Sequence, residues 1–374
     1  MHVIADKQSG TQDQLRAWWR RRLLARLVDL ISRVASYEGP GGTPSVTEPL
    51  MREGDVGVAL SVLYWPAAEV DVGQPYGAPP QPGYFEDIVA ELQSVEDHVA
   101  ERSDAVAIAH NPAELDRLLG AGRPILIHAI EGGFQLGAAA DDVRRNVATL
   151  AARGVAYVTL AHLFWRKVAT NAPALPFLPD WLYRLVFRQP KEVGLTDLGK
   201  ATVEAMVRER ILVDITHMSQ RAVDDTFSLL DRLDPERKVP VIATHMAYRF
   251  GKLEYCLTEA TIKRVAGRGG VLGCILCEHY ISNGLPGRPK SFDGSFEALA
   301  RHIDRIREVT GSHEHAAIGS DLDGYIKPAL PGLEHMGRMR ALQEALGRRY
   351  GAQDAERITS GNALRVLRAG WGKA

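Results

Sequence analysis

The chain has 374 residues, with 45 Lys and Arg against 46 Asp and Glu, 45% hydrophobic residues and three cysteines. At roughly 150 residues per domain the length admits two or three domains, and it equally suits one α/β barrel with insertions. A net charge of −1 excludes a chain-wide basic footprint for nucleic acid, three cysteines make no even disulfide framework, and no eighteen-residue apolar window is present to span a membrane. The start, Met1–Asp6, lacks a basic region followed by an apolar one, so the reading is a cytoplasmic globular protein with twelve histidines to place.

Taken in chain order, short apolar β-branched runs recur at 3–6, 56–64, 125–130, 155–161, 211–215, 240–244, 270–276 and 315–321. Amphipathic patterns separate most of them and predict helices over 13–36, 196–209, 258–267, 294–309, 333–349 and 355–368. The first carries six arginines and reads as an outer-ring helix with a solvated basic side, and Thr196 is the expected N-cap of the second. Strands alternating with helices predict a parallel sheet, and eight runs in one series predict a (β/α)8 TIM barrel of the metal-dependent hydrolase type, one domain over 1–374. Residues 72–83 are Pro/Gly-rich loop. Residues 166–193, with an apolar stretch from Leu175 to Phe187, form an insertion after the fourth run on the active-site face. That insertion reads equally as a substrate lid and as a packing or oligomer contact.

Ionisable residues fall where a barrel does chemistry, at the C-terminal ends of its strands. Glu131 follows the third run, His162 the fourth, His217 the fifth, His245 the sixth, and Asp321 and Asp323 the last. Scattered core histidines would not respect strand ends in this way. Glu, His and Asp are donors that hold Zn²⁺, or Mn and Fe with less selectivity. No G-x-S-x-G elbow and no Walker loop competes for the chemistry. Of the other histidines, His128 reads as a core residue, His98, His302, His313 and His335 as solvated, and His279 as a candidate substrate contact. The Cys274–Cys277 spacing reads as buried strand filler.

These residues sit in longer matching stretches: IEGG at 130–133, LAH at 160–162, GLTDLGKATVEAMVRERILVDITHMS at 194–219, ATHMAYR at 243–249, IGSDLDG at 318–324 and SGNALRVL at 360–367. On them the chain resembles the membrane (renal-type) dipeptidases, metallopeptidase family M19. The resemblance implies a barrel that binds two zinc ions and hydrolyses small dipeptide-like substrates, with a homodimer as its assembly. It implies Glu131 as a bridging carboxylate, His217 and His245 completing the more buried metal site, Asp321 as ligand of the other metal and acid/base group, and His162 at the oxyanion. Residues expected to touch substrate are His162, Arg249, Tyr255 and Asp323.

Two departures stand out. Where the family carries a His-x-Asp or His-x-His pair after its first strand, this chain has Gln8 and Gly10. One zinc site therefore keeps its ligands, and the second retains Glu131 and Asp321 alone. Where the family places an Arg-Asn pair after the second histidine, the chain reads Glu254-Tyr255-Cys256, which leaves Arg249 as the nearest cation. These departures keep two alternatives open: a related barrel amidohydrolase acting on another carboxylate-bearing amide or lactone, and a catalytically degenerate member.

Overall fold

The computed structural model describes residues 44–372 except 72, 177 and 325–327. The strand expected at 3–6, the helix expected at 13–36 and the Gln8–Gly10 stretch lie outside the described residues. In chain order the elements are α1 (Glu48–Glu53), β1 (Val58–Leu63), α2 (Pro66–Glu69), α3 (Tyr84–Glu101), β2 (Ala107–Ile108), α4 (Pro112–Leu118), β3 (Ile125–Glu131), α5 (Ala140–Ala152) and β4 (Tyr157–Thr159). There follow α6 (Asp180–Val186), α7 (Asp197–Glu209), β5 (Leu212–Asp214), α8 (Gln220–Leu233), β6 (Val241–Met246), α9 (Glu259–Ala266) and β7 (Val271–Cys274). The last are α10 (Glu278–Ile281), α11 (Phe292–Thr310), β8 (Ala316–Ile318), α12 (Met339–Tyr350), α13 (Ala352–Glu356) and α14 (Asn362–Gly370). No described helix is long and apolar enough to cross a membrane.

All strand pairings are parallel, in the order β1-β3-β4-β5-β6-β7-β8, with β2 paired to the first residues of β3. This is a (β/α)8 TIM-barrel-like fold, with β1 and β8 at the two ends of the arc among the described residues. Seven expected strands are present within a few residues of their expected bounds. The two-residue strand β2 was not foreseen, because so short a run has no periodicity to read.

Side-chain alternation explains the burial. Ile125, Ile127 and Ala129 of β3 share the barrel interior with Leu212, Ile242, Val271 and Ala317, whereas Leu126 and Ile130 pack outward among helix residues. Glu131 has the inward parity, so the strand's own register aims its carboxylate at the mouth. The inner cluster continues into Val366, Leu367 and Trp371 of the C-terminal segment. Thr196 caps α7 as expected, its side chain accepting from Gly199 N. The single helix expected at 355–368 is instead α13, a π-helical turn at Arg357–Gly361 and α14. Buried Asn362 sits at that break, and its Nδ2 donates to the carbonyls of His313 at 2.7 Å and Ala316 at 2.8 Å, which ties α14 to the start of β8.

Two histidines read as solvated are buried. His302 is fully enclosed, its Nδ1 accepting from Tyr248 N at 3.0 Å and its Nε2–H donating to Ile281 O at 2.9 Å. His313 is 7% exposed and pairs with Asp354 at 2.9 Å. His98 is exposed and His335 half-buried. His128, on the outward face of β3, is fully buried as expected, and neither ring nitrogen has a hydrogen-bond partner.

Burial, aided by the charges of His110 and Arg153, pushes His128 down to about 4, and burial does the same to His302. The unfolded chain takes up these protons near pH 6.5, while the fold refuses them until about 4, so stability is lost as pH falls through that window. Each histidine accounts for about 3 kcal/mol at pH 4. Urea titrations between pH 7 and 4 should show that loss. His128→Leu, which removes no hydrogen bond, should flatten it by one histidine's share; an unchanged acid limb would contradict the assignment.

Candidate metal centre

Three strands bring three donors to one point. Glu131 closes β3, His217 follows β5 by three residues and His245 lies in β6. Glu131 Oε1 is 3.6 Å from His217 Nε2 and 3.5 Å from His245 Nε2, and the two Nε2 atoms are 3.1 Å apart. Ligands bonded at 2.0–2.2 Å around a tetrahedral ion stand ~3.3–3.6 Å from one another. The two spacings to Glu131 fall in that range, and the 3.1 Å between the imidazoles lies just below it. Glu131 Oε1 is buried and has no hydrogen-bond partner, an expensive condition for a carboxylate oxygen unless a cation meets it. The other oxygen, Oε2, faces His162 Nε2 at 3.6 Å. Glu131, His162 and His217 also form a buried group whose ligating atoms all lie within 4.8 Å.

A buried carboxylate beneath the site fixes one ligand. Asp214, fully enclosed at the end of β5, accepts from Thr159 Oγ1 (2.6 Å), Thr216 N (3.0 Å) and Oγ1 (2.6 Å), and Thr244 N (3.1 Å) and Oγ1 (2.7 Å). Because the Thr244 hydroxyl donates to Asp214, it must accept from His245 Nδ1–H, 2.9 Å away. That leaves His245 Nε2 with its lone pair toward Glu131, the tautomer a metal ligand needs. The backbone crowds in as well: a Cβ at Gly273 or Gly319 would lie 1.9 or 1.7 Å from Thr244 O, which explains both glycines. By contrast, His217 Nδ1 has no hydrogen-bond partner.

Strain marks the same place. His217, Asp321 and Asp323 have φ of 65°, 51° and 63°, a left-handed conformation that non-glycine residues seldom adopt. Burial, with His162 and His245 nearby, drives the His217 pKa well below its usual value, so this ring is neutral and able to ligate. Burial raises Glu131, opposed by His162 and His245 and reinforced by Asp321 and Asp214. Burial pulls His162 down, but the charges of Glu69 and Glu131 outweigh it and hold the ring at about 9.

The cavity is lined by Glu131, His162, His217, His245, Tyr255, Asp321 and Gly324, with Leu163, Ala174 and Tyr280 completing the wall. Six of the eight residues singled out in the sequence therefore meet here. Tyr255 does so as a wall, its hydroxyl donating to His245 O at 2.5 Å and its ring set edge-on to His217. The other two do not line the cavity. Arg249 turns its guanidinium back onto its own loop, Nε donating to Cys256 O at 2.7 Å and Nη2 to Glu254 O at 2.6 Å. Asp323 is occupied with backbone, accepting from Ser45 N at 2.6 Å and Val46 N at 3.0 Å. His279 is half-buried on α10 and yields its expected place to its neighbour Tyr280, whose hydroxyl donates to Ala174 O. Sequence reading missed Tyr280, the Asp214 network and Glu69. Only Asp214 carried a signal, being the acid inside the VDITH strand end.

A family model described as membrane dipeptidase (peptidase family M19) matches residues 41–370. The chain belongs to this family. Among curated relatives it is 26% identical over 261 residues to the dipeptidase aclJ of Aspergillus oryzae, covering 69% of this chain and 52% of that protein. It is also 26% identical over 268 residues to the dipeptidase tcpJ of Claviceps purpurea, covering 71% and 56%. The chain thus spans about half the length of the curated relatives it matches. Among solved structures, a family M19 metallopeptidase named dipeptidase AC superposes with TM-score 0.72 at 18% identity, over 94% of this chain and 96% of that one. A metallopeptidase from Rhodobacter sphaeroides, liganded with a phosphinate mimic of the dipeptide L-Ala-D-Ala, gives TM-score 0.67 at 19% identity over 93% and 97%. At such identities the likeness is one of fold.

If Thr244 sets the His245 tautomer, Thr244→Val should weaken metal binding by about 10–100-fold with the circular dichroism unchanged. Calorimetric titration of the metal-free protein measures this, and an unaltered affinity would remove Thr244 from the ligand's support.

Proposed function

We propose that this chain, as a single barrel domain, hydrolyses the amide bond of dipeptide-like substrates with one resident ion, zinc by its donor set, held by Glu131, His217 and His245. The observation that carries this reading is the convergence of those three donors around an unpartnered, buried Glu131 oxygen in a cavity shared with His162 and Asp321. When bound, the ion would supply Lewis-acid polarisation and an acidified water. A second ion has weaker support, because Gln8 and Gly10 stand where the family's other ligand pair is expected. Neither a neutral amide nor a glycine hydrogen makes a strong zinc ligand.

The chain's own groups divide the remaining work. Asp321, on the cavity wall, takes the proton from the attacking water and returns it to the leaving amine. His162, held charged, presents Nε2–H toward the cavity and stabilises the negative charge that develops on the scissile carbonyl oxygen. Tyr255, Tyr280, Leu163 and Ala174 limit the space to a small substrate. Since Arg249 is committed to loop carbonyls, it does not take the place of the carboxylate-gripping arginine that the family carries and this chain lacks.

Metal analysis of the purified protein should find close to one zinc per chain, and His217→Ala should lose it. Asp321→Asn should keep the metal while kcat on the best dipeptide falls by about 10²–10⁴-fold. Screening L,L- and L,D-dipeptides beside N-acyl amino acids and lactones identifies the substrate. Metal-loaded protein inert toward every dipeptide would refute the reading.

A further inference from the structure

Glu69 enters the scheme above only as a charge beside His162, and its side chain is fully buried against that ring. It ends α2, the short helix after β1. Three donors converge on its carboxylate: Tyr64 OH at 2.5 Å and His162 Nδ1 at 2.6 Å on Oε2, and Phe164 N at 2.7 Å on Oε1. Two of these come from the turn after β4, which is separated from β1 in the sheet by β3.

The helix carrying Glu69 is itself registered to the metal centre. Trp65 N, at its N-terminus, donates to Gln135 Oε1 at 2.9 Å, and Gln135 Nε2 donates to the backbone carbonyl of Glu131 at 2.5 Å. A carboxylate can only accept here, so His162 Nδ1 must carry a hydrogen, and Nε2 is the atom left facing Glu131. The Tyr64 ring, edge-on at 4.6 Å, leaves the imidazole little freedom to turn away. A loop anchor alone would need only the Phe164 bond.

We propose that Glu69 is the positioning residue of His162, fixing which ring nitrogen faces the substrate through the Nδ1–H···Oε2 bond. The inference rests on the reading of His162 as the group that meets the substrate's carbonyl oxygen. Glutamine has the same shape as glutamate but cannot satisfy all three donors. If its oxygen meets Phe164 N, its amide N–H faces His162 Nδ1, which must give up its hydrogen and with it the bond that orients the ring; if its oxygen meets His162, two N–H groups collide at Phe164.

The test uses the full chain labelled with ¹⁵N-histidine, both metal-free and zinc-loaded, with His162→Gln assigning the signal. The wild type should show a hydrogen-bonded Nδ1 proton on His162 that Glu69→Gln abolishes. In the loaded enzyme Glu69→Gln should lower kcat by about 10–100-fold with KM within about twofold. Glu69→Asp, which keeps the charge but draws it back, should fall between the two and serves if the glutamine variant does not fold. An unchanged His162 signal, or an unchanged kcat, overturns the proposal. If the wild type hydrolyses no dipeptide, the functional reading fails separately and the Nδ1 signal alone decides whether Glu69 positions the ring.

Discussion

Buried negative charge is the constraint around which the mouth of this barrel is organised. Glu69, Glu131 and Asp214 are all enclosed, and a carboxylate out of water is tolerable only when its oxygens are met. Asp214 is met by five donors and Glu69 by three. Glu131 alone keeps an oxygen without a partner, and that oxygen is the one facing two imidazoles. The two satisfied carboxylates hold the histidines; the unsatisfied one creates the demand for a cation.

This arrangement assigns different duties to chemically identical rings. His245 is orientated through Thr244 and Asp214, and His162 lies directly on Glu69. One chain of hydrogen bonds runs through a hydroxyl and directs Nε2 of its ring toward Glu131; the other places a full charge against the ring and keeps it protonated. His217 has neither support and is governed by burial and by its neighbours' charge. Its position comes instead from a backbone held in an unfavourable conformation.

What could be read from the sequence follows from how far each signal reaches along the chain. Glu131, His162, His217, His245 and Asp321 were legible because strand ends are local features, and a barrel brings strand ends together whatever lies between them. The same logic recovered Thr196 as a cap. Glu69 was invisible: it lies 93 positions from His162 in the chain, on a four-residue helix whose own composition suggests nothing. Arg249 and Asp323, expected at the substrate, do not line the cavity, for the opposite reason. Their positions in the motifs were right, but a side chain's direction depends on which backbone groups nearby lack partners, and both were claimed by such groups. Polar residues in helical stretches usually face water, which is the pattern His302 and His313 present in the sequence, but packing around α11 and the turn that follows it buries both.

The grip of Asp323 on Ser45 and Val46 reaches beyond local geometry. Ser45 O also accepts from Met336 N, so the chain enters the described fold pinned at the rim of the cavity, two residues along from Asp321. Asp323 thereby ties Ser45 and Val46 to the turn that carries Asp321. Loss of the Asp323 carboxylate would therefore loosen the turn that carries Asp321 together with the segment at Ser45, although Asp323 itself lines no part of the cavity. Near the other end of the described residues, Trp371 is anchored in the inner barrel cluster instead.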